Sequence, residues 1–396
     1  MTAIETARRE PPRTFFLNDP VIRGIFYQII VALAVVIFVL WIIQNTAANL
    51  AAQNKTTGFD FLWKTAGFDI SFTLFPWDRT STYWEAFLVG ITNTLLVAVI
   101  GIIAATAIGF TMGIARLSSN FLISRLATVY IETIRNIPLL LQLFFWYFAV
   151  LKTMPAVRDS IALPFDTFIN QRGLFVPQPI FDDKFLYVAI AFAIGIAIAF
   201  VIRAWAKQRL ETTGQRFPVL LTSIAVIALV TTAVWIVSGA TVTFDPPVLN
   251  RFNFKGGLEL PPEFVALAWG LSIYTAAFIA ETVRGGILAV SHGQTEAAQS
   301  LGLKEGDRLR LVIVPQAMRV IVPPLTSQYL NLTKNSSLGA AIGYPELFNV
   351  FSGTSLNQTG RAIECIALTM LVFLTFSLTT SAIMNWYNAR VALVER

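Results

Sequence analysis

Apolar runs about as long as a bilayer is thick recur along this chain, separated by short polar or basic breaks. An uncharged stretch needs on the order of 20 residues to cross ~30 Å of hydrocarbon. Eight stretches approach or meet that length: Ile25–Ile43, Phe87–Phe110, Asn136–Leu151, Phe185–Ile202, Val219–Val237, Phe264–Ile287, Val320–Gly343 and Ala367–Trp386. The pattern predicts eight transmembrane helices. The first, IFYQIIVALAVVIFVLWII, has 19 uncharged residues and exceeds the core of a signal peptide, so it reads as a retained span. The third is short as bounded and is expected to begin earlier, taking in Glu132 and Arg135. The seventh holds Lys334 together with Pro323 and Pro324, which predicts a kinked or partly re-entrant segment.

Composition agrees with this pattern. Hydrophobic residues make up 55% of the 396, charged residues 13%, and the mean hydropathy is +0.65, so the fold class is an all-α polytopic membrane protein rather than a soluble domain. Charge placement tests the span count, because cytoplasmic loops accumulate lysine and arginine. With both termini inside, eighteen of the 29 basic residues fall in inner segments and ten in outer ones, leaving Lys334 within a span. Dropping one span would invert half of that asymmetry. The net charge of +6 therefore follows from topology and gives no reason to expect nucleic acid as a partner.

The reactive inventory is small. Cys365 is the only cysteine and His292 the only histidine, so neither a disulfide framework nor a metal centre is expected. No nucleophile elbow, no H-E-x-x-H and no phosphate-binding G-x-x-x-x-G-K-[ST] occurs. The chain is expected to have no catalytic residues and no cofactor; if ATP drives it, another subunit hydrolyses the nucleotide.

Against this background the segment QTEAAQSLGL, Gln294 to Leu303, stands out as a polar helix in the loop between spans six and seven. Ser291 followed by Gln294 has capping-box spacing, and Gly302 sits where a helix of about three turns would stop. Glu296 falls early, where a carboxylate suits the helix dipole, while Ala297, Ala298 and Leu301 make a small apolar face. Composition alone fits equally a helix that merely covers the inner surface.

The full pattern is more specific. Glu296-Ala297-Ala298, three residues, Gly302, nine residues, then Val312-Ile313-Val314-Pro315 resembles the EAA loop of bacterial ABC importer permeases, with valine at the usual isoleucine and leucine positions. ETVRGGILAVSHGQTEAAQSLGL, PQAMRVIVPP, KNSSLGAAIGYPEL and, upstream, YIETIRNIPLLLQLFFWYF are similar to the polar amino-acid branch, which includes histidine, arginine and glutamine importers. Arg135-Asn136-Ile137-Pro138 departs from that branch's R-G-T-P, and Ser336 stands where threonine is usual. The enlarged chain resembles one component of the general L-amino-acid importers. The resemblance implies a bacterial inner-membrane permease, with Glu296, Ala297, Ala298 and Gly302 docking on cytoplasmic ATP-binding subunits. It further implies a second, related permease subunit, a periplasmic amino-acid-binding protein and an amino-acid substrate. The matching core covers 87–151 and 264–396, with the coupling loop at 290–319. Residues 1–86 add a cytoplasmic N-terminus, a span and a periplasmic loop, and 152–263 insert two more spans with periplasmic loops.

Independently of family, Glu132-Thr133-Ile134-Arg135 and Glu281-Thr282-Val283-Arg284 repeat E-T-[IV]-R near the inner ends of two spans. Residues three apart share a helix face, so each segment can set a carboxylate beside a guanidinium. Charges at membrane depth cost about 2.5 kcal/mol or more unless paired or wetted. The motifs thus read either as structural ion pairs or as a path or gate for a zwitterion, formed with Lys334, Asn335 and Ser337. Phe144 to Phe148 read as an interfacial belt. The long outer loops could form a cap. The expected function is the permease subunit of an ATP-driven amino-acid importer. The alternatives are an ion- or proton-coupled carrier, with Glu132, Glu281 and Lys334 as titrating groups, and a membrane subunit that transports nothing.

Overall fold

The computed structural model describes residues 20–52, 58–215, 217–251 and 253–391. Arg8, Arg9, Arg13, Lys55, Arg216 and Arg396, which enter the charge asymmetry, lie outside them. The longer helices are α1 (Pro20–Ala52), α2 (Tyr83–Arg116), α3 (Phe121–Asn136), α4 (Leu139–Phe144, continued as a π-helical stretch Phe145–Leu151), α5 (Phe185–Thr213), α6 (Val219–Ser238) and α7 (Pro262–Leu288). The loop helices α8 (His292–Ser300) and α9 (Glu305–Arg308) follow, then α10 (Val314–Asn335), α11 (Leu356–Thr359) and α12 (Ala362–Val391). Among the described residues, seven helices are long and apolar enough to cross a membrane, eight if α3 and α4 form one span.

That pair corrects the third predicted span. Instead of one helix containing Glu132 and Arg135, the chain bends by 107° between α3 and α4. Pro138 has no N–H to continue the ladder, and it pushes Ile137 into extended geometry, φ −101° and ψ 128°. The seventh span departs from expectation differently. α10 runs unbroken through Pro323 and Pro324, and the non-α geometry lies at its ends: a π-helical turn over Leu309–Ile313 before it and a 3-10 stretch over Ser336–Ile342 after it.

α7 is the central helix, with Ala276, Ala277, Ile279 and Ala280 fully buried. α2 lies along it in contact close enough to require glycine: a Cβ on Gly109 would stand 2.6 Å from Ile279 Cβ, and one on Gly113 would stand 2.6 Å from the Ala280 carbonyl oxygen. Such small-residue seams let helix backbones approach where no hydrophobic effect drives association. α5 and α6 instead pack chiefly on each other, with Gly195 against Ile227, and α6 has no buried residue. A helix that is apolar all round yet covered on one side only belongs in lipid or against another membrane protein.

At the α7 N-terminal end the long loops form a cap, as their length allowed, built of short strands that the sequence pattern did not reveal. β1 (Ile161–Leu163), β2 (Thr167–Asn170) and β3 (Gly173–Val176) join β8 (Leu258–Leu260) in an antiparallel sheet of order β1-β2-β3-β8. β4 (Gln178–Phe181) pairs with β5 (Val242–Asp245), and β6 (Val248–Asn250) with β7 (Asn253–Lys255). Pairing of Leu174 with Leu260 draws together the two ends of the excursion that carries α5 and α6. The aromatic run of α4 divides: Phe145 and Phe148 are exposed as a belt requires, whereas Tyr147 is buried and donates to Glu263 Oε1 at 2.6 Å.

Candidate functional site: a loop helix and a charge cluster

α8 follows α7 directly at the end of the molecule opposite the cap. Its stop signal is a full Schellman motif: Gly302 N–H donates to Gln299 O at 2.8 Å, Leu303 N–H donates to Ala298 O at 3.2 Å, and Gly302 has φ +72°. A Cβ at Gly302 would meet nothing within 4 Å, so the requirement for glycine there is conformational. The expected capping box is not formed. Ser291 makes no side-chain cap, and the Gln294 side chain instead accepts from Gln316 Nε2 at 3.1 Å, tying α8 to the start of α10. The small apolar face also differs from expectation. Ala298 is buried against the chain, while Ala297 and Leu301 are exposed, so only part of the stripe is spent internally. Glu296 is exposed in the second turn, its Oε1 3.0 Å from His292 Nδ1.

The charge cluster joins three helices. Arg284 forks onto Glu281, Nη2 to Oε1 at 2.6 Å and Nε to Oε2 at 3.0 Å, as the three-residue spacing predicts. The first E-T-[IV]-R segment behaves otherwise. Glu132 accepts from Arg116 Nη2 at 2.8 Å, and Nη1 of the same guanidinium donates to Glu281 Oε2 at 2.7 Å. Arg116, the last residue of α2, was read from sequence only as an inner-loop charge; the observation that could have singled it out is that it ends an apolar helix at the level of both repeats. Its planar fork spans two carboxylates that neither repeat could bring together alone. Arg135, deprived of Glu132, lies 5.3 Å from the Phe278 ring centroid, and its buried Nε has no hydrogen-bond partner among the described residues. Three guanidinium groups thus face two carboxylates, and the surplus positive charge falls on Arg135.

Lys334 is not part of that cluster. Leu332 packs against Gly101, fifteen positions from Arg116 on α2, or ~22 Å along the axis. Glu132 and Glu281, grouped with it in the carrier reading, are both held by arginine, and Lys334 makes no ion pair among the described residues. It ends an exposed stripe of α10 at helical spacing: Val320, Pro324, Ser327, Asn331 and Lys334. Three polar side chains on the outer face of an intramembrane helix are unsuited to lipid. Asn335 and Ser337 are half-buried beside it, and the Ser337 hydroxyl donates to the Lys334 carbonyl at 2.8 Å.

Comparison with known proteins fits this geometry. The family described as binding-protein-dependent transport system inner membrane component matches residues 191–393. The General L-amino acid transport system permease protein AapQ of Rhizobium johnstonii is 53% identical over 96% of this chain and 95% of that protein. The Putative amino-acid ABC transporter permease protein YhdX of Escherichia coli is 48% identical over 96% of each. The Glutamate/glutamine/aspartate/asparagine transport system permease protein BztB of Rhodobacter capsulatus is 40% identical over 98% of this chain and 99% of that protein. With an apolar helical core, an EAA loop ended by a left-handed glycine and relatives matched along almost their whole length, the chain belongs to the binding-protein-dependent transport system inner membrane components, the permease subunits of ABC importers.

Proposed function

We propose that this permease carries amino acids, and that Glu296, Ala297, Ala298 and Gly302 form its contact with the ATP-binding subunits. The observation that carries the proposal is α8: a short helix closed by a Schellman turn, with Ala297 and Leu301 left exposed, anchored to α7 at one end and to α10 through Gln294 and Gln316. Force applied to it passes into the two helices that hold the charge cluster and the Lys334 stripe. The names of the relatives support amino acids as the substrate class. A zwitterion meets complementary groups along such a route: Glu132, Arg135, Glu281 and Arg284 at one level, and Lys334, Asn335 and Ser337 at another. Within the cluster Arg135 is the cation left to receive a substrate carboxylate.

In this reading a second, related permease subunit covers the polar stripe of α10, a periplasmic amino-acid-binding protein delivers substrate at the cap, and both termini lie in the cytoplasm. The core comprises 87–151 and 264–396, with 1–86 and 152–263 as additions. An ion-coupled carrier would need titrating carboxylates free to change partners, whereas Glu132 and Glu281 are each held by arginine. Proteoliposomes containing the reconstituted permeases, ATPase and binding protein should take up amino acids only with ATP inside the compartment holding the ATPase, and a protonophore should leave the rate unchanged. Uptake driven by a proton gradient without ATP would sink the proposal.

A further inference from the structure

The insert that carries α5 and α6 is not accounted for by coupling or by the charge cluster. At the end of this hairpin remote from the cap, a cleft of about 960 Å³ is lined by Ile196, Phe200, Arg203 and Lys207 of α5 with Phe217 and Leu220 on the α6 side. The four α5 residues recur at spacings of three and four, so they stand one above another on a single face. Their order runs from apolar to cationic.

Helix lengths set the depth of this cleft. The 20 residues of α6 span ~30 Å, about the hydrocarbon thickness, and the 29 of α5 span ~43 Å. Phe185 and Trp235 meet at 6.4 Å near the cap, so the excess of α5 overhangs at the other end. There Trp205 packs edge-on to Phe217 at 5.2 Å, and Arg209 lies 5.3 Å from the Trp205 ring centroid. Such an aromatic and cationic girdle marks the headgroup level. Ile196 and Phe200 therefore face acyl chains, and Arg203 and Lys207 face headgroups.

Both cations have donors to spare. Arg203 makes no hydrogen bond or ion pair with a described residue, and Lys207 reaches Glu211 only at 3.7 Å, with both side chains exposed. An apolar trough that ends in two cations at headgroup depth complements an amphiphile with a negative head. A zwitterionic lipid would set its own ammonium beside those cations, and an apolar helix laid in the trough would bury them unpaired. We propose that the basic end of the α5–α6 hairpin binds one anionic phospholipid, its phosphate between Arg203 and Lys207 and an acyl chain along Ile196, Phe200 and Leu220. The orientation proposed above enters only in naming the cytoplasmic leaflet as the source.

The test uses the purified full-length chain in nanodiscs of phosphatidylcholine doped with phosphatidylglycerol, with native mass spectrometry counting the lipids retained on release. The wild-type chain should retain phosphatidylglycerol in preference. The double variant Arg203→Gln/Lys207→Gln should lose that preference by on the order of 25-fold, roughly fivefold per cation. Ala199 also lines the trough, so Ala199→Trp, which fills it and leaves the charges, should likewise lose the retained lipid, whereas Arg209→Gln, outside the trough, should keep it. Equal retention of the two lipids by wild type, an unchanged preference in the double variant, or wild-type retention in Ala199→Trp would each overturn the proposal. Displacement of the lipid by inorganic phosphate would overturn it in favour of a free-anion site. None of these readouts depends on transport, so a failure of the importer reading would leave them standing.

Discussion

Arg116 serves two carboxylates on two different helices with one guanidinium, whereas Lys334 serves none among the described residues, and the two cations should fail differently when removed. Arg116→Ala leaves Glu132 without its hydrogen-bond donor and Glu281 with Arg284 alone, while Arg135 stays turned to the Phe278 ring. The loss of two charge-assisted hydrogen bonds is expected to cost about 2 kcal/mol and to appear as a lowered melting temperature and poor yield. Lys334→Met preserves length and removes a charge that no carboxylate holds, so the complex should assemble and melt normally while uptake and substrate-stimulated ATP hydrolysis fall on the order of tenfold. Neutralising Glu281 as well should not restore uptake; rescue by Lys334→Met/Glu281→Gln would show a pairing that the geometry lacks and would remove Lys334 from the path. The Arg284–Glu281 pair was legible from a spacing of three, because both partners lie on one helix. The fork of Arg116 was not, because its second carboxylate lies 165 residues away and only tertiary packing brings it near.

At the scale of an element, α8 makes a separable prediction. A side chain at Gly302 meets open space within this chain but must accept φ +72°, a strain of roughly 1 kcal/mol for aspartate. Gly302→Asp should therefore insert and melt almost as the wild type does. If α8 seats in the ATPase, the same change should abolish coupled uptake and weaken co-purification of that subunit, because the added carboxyl projects where only the partner can be. Wild-type uptake with wild-type ATPase yield would remove α8 from the coupling role. The end of this helix was legible because glycine after an apolar residue signals a left-handed turn. Its beginning was not: a Ser-x-x-Gln spacing is equally satisfied when the glutamine turns to Gln316. The proline rule likewise divided. Pro138 breaks the chain between α3 and α4, whereas Pro323 and Pro324 are carried within a helix that packs on α7 and α12.

For the whole molecule, the basic-residue asymmetry demands an orientation that fusions can check. A reporter active only in the cytoplasm should be active after Gln215 or Lys304 and silent after Asp166 or Pro246, the last two of which lie in the β-cap. Activity at Asp166 would invert the assignment of the cap to the periplasm. The count of spans and their membrane character were legible because hydropathy over twenty residues is a strong signal. The strands of the cap were not, because they are three or four residues long and the main sheet pairs β3 with β8 across the whole excursion that carries α5 and α6.

The glycine seam between α2 and α7 also has a meaning in time. Arg116 and Glu281 are 165 residues apart, and α3 to α6 are made between them. A ribosome adding about 5–20 residues per second needs roughly 10–30 s to cover that distance. Throughout that interval Gly109 and Gly113 present a bare groove to the bilayer, and Arg116 has only Glu132 to answer it. Biogenesis of this permease therefore includes a waiting state in which α2 is inserted without α7, and the inserted hairpin lengthens the wait. During those seconds the half-made chain is open to wrong partners, or to capture by an insertion chaperone, in a way that the finished bundle is not.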